Sequence, residues 1–115
     1  MGTGNFMIAR PGEAEARPLA PGYRLNHISV SVCGRFYVGD ATGLEGVPLV
    51  VGSVRTGRSA IVCFSETTPG SPQWIHTHLY ITPDNGSLIF NSDRSGVPQV
   101  YRLVLPAGLL EGLDG

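Results

Sequence analysis

A long-period repeat constrains this chain more than any other feature. His27, Cys33-Gly34 and Phe36-Tyr37-Val38-Gly39-Asp40 align with His78, Asn85-Gly86 and Leu88-Ile89-Phe90-Asn91-Ser92-Asp93. The offset is about fifty residues, a period at which stacked structural units bury their faces against one another. The anchors sit in short apolar segments. Residues 24–32 alternate, with His27, Ser29 and Ser31 on one face and Ile28, Val30 and Val32 on the other. Cys33-Gly34 reads as a hairpin turn, and residues 35–40 return as a second strand. Residues 49–54 and 60–65, joined through Thr56-Gly57-Arg58, complete a four-stranded antiparallel meander. Sixteen glycines and nine prolines divide the 115 residues into pieces suited to short strands and tight turns. No heptad or long helical pattern competes.

The second unit follows a loop over residues 66–72. Residues 74–82, 87–92 and 99–105 read as three strands, separated by Pro83-Asp84-Asn85-Gly86 and by a loop at 93–98. Before the first unit, residues 5–10 and 16–20 read as two weak strands, and after the second, residues 106–115 have room for one helical turn around Leu109 and Leu110. The expected division is therefore 1–22 as the outer strands of an incomplete blade, 23–67 as a complete blade, 73–105 as a three-stranded last blade, and 106–115 as a tail. Four-stranded antiparallel units at this period are the signature of a β-propeller. The fold class expected is all-β: a partial propeller of about two and a half blades. A closed propeller needs roughly four to eight blades. The expected partners are accordingly the remaining blades, or self-association that covers the open edges.

The formal net charge is -1, there is no lysine, and the eight arginines are scattered, so neither nucleic acid nor an anionic membrane is an expected partner. The first residues carry no apolar run long enough for a leader or a membrane span, which gives a cytoplasmic expectation. Cys33 and Cys63 lack the spacing of a zinc knuckle or a redox pair and read as free thiols.

Chemistry concentrates in Gln73-Trp74-Ile75-His76-Thr77-His78. On an extended strand, His76 and His78 project from one face. If the two units stack, His27 falls beside them. Three imidazoles with a nearby carboxamide oxygen form a candidate metal site, whereas a single histidine at a strand start is ordinarily a hydrogen-bonded packing residue. Asn26, Ser29 and Tyr80 are the nearby polar groups that could orient such ligands. Trp74, Tyr80, Phe90 and Tyr101 read as packing residues, and Asp93-Arg94 as a loop tie. Arg24, Arg35 and Arg102 could meet a substrate carboxylate, although a solvated arginine is the default reading.

Thr82-Pro83-Asp84-Asn85-Gly86, with Ile89-Phe90-Asn91-Ser92-Asp93-Arg94-Ser95-Gly96 and Pro98-Gln99-Val100-Tyr101, resembles the TolB-type propeller repeat. Gln73-x-x-His76-x-His78, together with Leu25-Asn26-His27-Ile28-Ser29-Val30-Ser31, is similar to the C-terminal blades of oligogalacturonate lyase. That resemblance implies an intracellular enzyme that cleaves short pectin-derived oligogalacturonides by β-elimination. It implies a divalent metal, usually Mn2+, held by His27, Gln73, His76 and His78. The sequence departs from that family at Cys33, where an aspartate is usual, and at Thr77 and Leu79, where proline often follows each paired histidine. The proton-removing residues of such enzymes lie on earlier blades, so no catalytic residue is identified in this chain. The alternative expectation is a non-catalytic TolB-like propeller fragment acting as a binding module.

Overall fold

The computed structural model describes residues 4–69 and 76–115. Among the described residues, nine strands form three antiparallel sheets, and one short helix follows. Strands β1 (Met7–Ile8) and β2 (Arg17–Pro18) pair as a two-stranded ribbon. Strands β3 (Ile28–Val30), β4 (Phe36–Asp40), β5 (Pro48–Ser53) and β6 (Ser59–Phe64) form a four-stranded meander in chain order. Strands β7 (Tyr80–Ile81), β8 (Ser87–Ser92) and β9 (Gln99–Val104) form the last sheet, and helix α1 spans Leu109–Asp114. This is an all-β partial propeller of a half, a whole and a three-stranded blade.

The central sheet works because β4 and β5 are apolar on both faces. Successive side chains alternate across a strand. Phe36, Val38, Leu49 and Val51 meet Leu79, Ile81, Leu88 and Phe90 of the last sheet. Tyr37 and Val50 turn the other way and meet Leu19, Ala20 and Leu25, with Phe6 and Ile8 of the ribbon alongside. Gly52 lies opposite Tyr37 in the register, and a Cβ there would fall 2.2 Å from the ring. The missing side chain is what lets the buried phenol lie flat across the strand. Burial pushes the Tyr37 pKa up.

The hairpin turns carry the expected turn residues. Gly34 takes φ 77° and Asn85 φ 59°, both in the left-handed region. Helix α1 closes this same end of the sheets. Leu110 enters the shared core, while the helix's last carbonyls accept from the turn after β5. Thr56 Oγ1 donates to the Leu113 carbonyl at 2.6 Å, and Arg58 Nη2 donates to those of Gly112 at 3.0 Å and Gly115. Asp114 accepts from Ser53 Oγ at 2.8 Å and from Arg35 Nη2 at 3.1 Å, and these bonds hold its carboxyl below the usual range.

Two expectations are corrected. The alternating segment 24–32 is strand only over Ile28–Val30, because the Asn26 N–H already bonds the Asp40 carbonyl across an irregular start. Its apolar residues face outward: Ile28 is 39% and Val30 52% exposed, since the ribbon packs over Tyr37 and Val50 of the two middle strands and not over β3. The strand expected over 74–82 is, among the described residues, confined to Tyr80–Ile81. His78 takes φ 41°, which breaks the extended run. The segment still lies beside β8, where the Asn91 N–H reaches the Thr77 carbonyl at 2.8 Å.

Candidate metal centre

Residues 26–27 and 76–78 come together at the end of the sheets opposite α1. His27 precedes β3, and its backbone carbonyl accepts from the N–H of Asp40, the last residue of β4, at 3.2 Å. The His27 ring centroid lies 5.2 Å from that of His76 and 4.7 Å from that of His78, and the last two are 6.1 Å apart. One ring nitrogen from each of the three lies within 4.8 Å of the others. Three nitrogens spread evenly about one ion at ~2.1 Å are at most ~3.6 Å apart, so ring movements of about 1 Å would close the set. Three imidazoles suit a first-row divalent cation, and the donor set therefore fits a metal. Gln73, the fourth ligand implied by the resemblance, lies outside the described residues, as does Trp74.

His76 and His78 reach the cluster without the strand that was expected to present them. Thr77 between them is fully buried, and its hydroxyl donates to Asp40 Oδ2 at 2.5 Å. With Thr77 turned inward, its two neighbours flank the same opening. The residues that sequence reasoning missed are therefore Asp40 and Thr77. Asp40 is 0% exposed, its Oδ1 accepts from the His27 backbone N–H at 2.7 Å, and Oδ2 lies 3.2 Å from His27 Nδ1. The available signal was an acidic residue closing the apolar run Phe36-Tyr37-Val38-Gly39, where burial demands partners. Asn26 also touches this ring, with Nδ2 3.2 Å from Nδ1.

A cavity of about 200 Å³ adjoins the cluster, with Asn26, Asp40, Thr42, Thr68 and His76 among its walls. Its rim is tied by Asp93, which accepts from the Thr68 N–H at 2.8 Å and the Thr68 hydroxyl at 2.6 Å. These bonds hold the Asp93 carboxyl low, and the residue does tie a loop as its sequence context suggested. Arg35 does not serve this site: it pairs with Asp114 at 3.1 Å, at the far end of the hairpin. Phe90 and Tyr101 stack at 5.5 Å as packing residues, whereas Tyr80 is 47% exposed.

A solved oligogalacturonate lyase in complex with manganese superimposes on this chain with a TM-score of 0.74 and 30% sequence identity, over 89% of the chain. The chain resembles an oligogalacturonate lyase. It spans 28% of that lyase's length. The oligogalacturonate lyase from Vibrio parahaemolyticus matches at a TM-score of 0.68 and 24% identity, over 82% of this chain and 27% of its own. TolB from Acinetobacter baumannii matches at 0.63 and 24%, over 82% of this chain and 22% of its own. These last two show the fold alone. No family model and no curated protein sequence matches the chain. Among the described residues, no helix is long and apolar enough to cross a membrane.

Proposed function

We propose that this chain is the cation-holding part of an oligogalacturonate-lyase-like propeller. The observation that carries the reading is the convergence of His27, His76 and His78 from two blades, with donor nitrogens within 4.8 Å, in a chain similar to a manganese-bound lyase. These three imidazoles would hold a divalent cation, most simply Mn2+, with Gln73 as the fourth ligand that the resemblance implies. When bound, such a cation supplies positive charge to a uronate carboxylate, which eases removal of the proton alpha to it in a β-elimination. Neutral imidazoles leave that charge undiminished. The cavity beside His76 offers the hydroxyl groups of Thr42 and Thr68 and the amide of Asn26 to an oligogalacturonide. No residue of this chain is assigned as the base, so the reading is of binding without turnover by this chain alone, with further blades or a second copy needed to complete an enzyme.

Titration with Mn2+ by calorimetry tests the reading. The wild-type chain is expected to bind one equivalent, and His78→Ala to bind at least about tenfold more weakly. Equal affinity of the two would remove it. The competing role, a TolB-like binding module, predicts no saturable cation binding by either protein.

A further inference from the structure

We propose that Asp40 is the positioning residue of the imidazole cluster: it sets the tautomer of His27 and pins the His76–His78 segment to the central sheet. The proposal rests on the reading of the cluster as a cation site. Asp40 is fully buried at the end of β4, and both of its oxygens are engaged. Oδ1 accepts from the His27 backbone N–H at 2.7 Å. Oδ2 accepts from the Thr77 hydroxyl at 2.5 Å and lies 3.2 Å from His27 Nδ1. One carboxylate thus touches the backbone and ring of the first histidine and the residue between the other two.

A carboxylate already accepting two bonds has only acceptor capacity to offer Nδ1, so the proton of the ring sits there. Nε2 then keeps the lone pair that ligation requires. The second neighbour of Nδ1, Asn26 Nδ2 at 3.2 Å, would favour the opposite tautomer if it donated. An amide can present its oxygen instead by turning over, and a carboxylate has no such alternative, so Asp40 decides. The Thr77 bond crosses from the central sheet to the segment beside β8. The same group therefore aligns ligands that come from two blades.

The test is the 15N spectrum of the histidine rings in the metal-free full chain, followed by Mn2+ titration. Wild-type His27 is expected as the Nδ1–H tautomer. In Asp40→Asn the His27 backbone N–H holds the side-chain oxygen and leaves the NH2 facing Nδ1, so the ring is expected to switch to Nε2–H and Mn2+ affinity to fall about 10–100-fold. Thr77→Val is expected to keep the His27 tautomer while weakening Mn2+ binding several-fold. Wild-type His27 found as Nε2–H would overturn the proposal even if Mn2+ binds. An Nδ1–H ring in a wild-type chain that binds no Mn2+ would instead overturn the cation reading on which it rests. Because the wild-type spectrum alone can refute the assignment, a variant that fails to fold does not shield it.

Discussion

The central and last sheets are built from aligned sequence, yet they live in different surroundings. The two middle strands of the central sheet are covered on both faces: every residue of β4 and β5 is buried. The last sheet is covered on one face. Leu88 and Phe90 are buried against the central sheet, while Val100 on the opposite face is 71% exposed and Val104 61%. The lesson concerns what a blade needs. Two apolar faces make the central sheet depend on neighbours to either side, and the last sheet reaches a stable packing with one neighbour and an edge open to water.

The sharpest way to test that contrast is to overfill the central sheet. Gly52→Ala places a Cβ 2.2 Å from the Tyr37 ring, which has no room to withdraw. A loss of about 3 kcal/mol is expected from urea denaturation. Leu49→Ala, in the interface the two sheets share, is expected to cost about 3 kcal/mol as well, by opening a cavity. If Leu88→Ala on the last sheet costs far less than this, the two sheets do not share one core.

A smaller effect of opposite sign is expected at the join between the sheets. His78 holds φ 41°, a conformation that costs a non-glycine residue about 1 kcal/mol. His78→Gly is expected to raise the urea midpoint while abolishing cation binding, so that stability and site move in opposite directions. On the open face, Val100→Thr and Val104→Thr should each change stability by less than about 0.5 kcal/mol in dilute solution. A loss that grows with protein concentration would place a second copy on this face and break the contrast.

The least energetic comparison is between the thiols. Ser31 and the Arg35 backbone, with Asn85 reaching across from the last sheet at 3.4 Å, lower the pKa of exposed Cys33 to about 7, whereas burial raises that of Cys63. Alkylation of Cys33, followed by peptide mass spectrometry, should rise through pH 7 and level off above it as the thiolate fills. Cys63 should lag throughout. Asn85→Ala removes one lowering contact and is expected to move the Cys33 inflection upward.

Much of this architecture was legible because strands and turns have short-range signatures. The repeat placed β4 on β8, and Cys33-Gly34 and Asn85-Gly86 marked turns that do use left-handed backbone. The meeting of His27 with His76 and His78 followed from stacking the two copies. Alternation alone, however, does not say which face is covered, and Ile28 and Val30 turned out to point away from the core. Nor does an i, i+2 pair require a strand: His76 and His78 flank a buried Thr77 in irregular backbone. Asp40 was hidden for a different reason. Its place at the end of an apolar run signals a need for partners, but the partner lies 37 residues away and the run does not say which residue it is.

Helix α1 lies at one end of the two sheets, and the imidazoles lie at the other. Leu110 is driven between the sheets like a shim, and Arg58 and Thr56 keep it seated. Because Leu110 sits in the core that the two sheets share, the helix joins the blade that follows His27 to the blade that follows His76 and His78, at the end farthest from the rings.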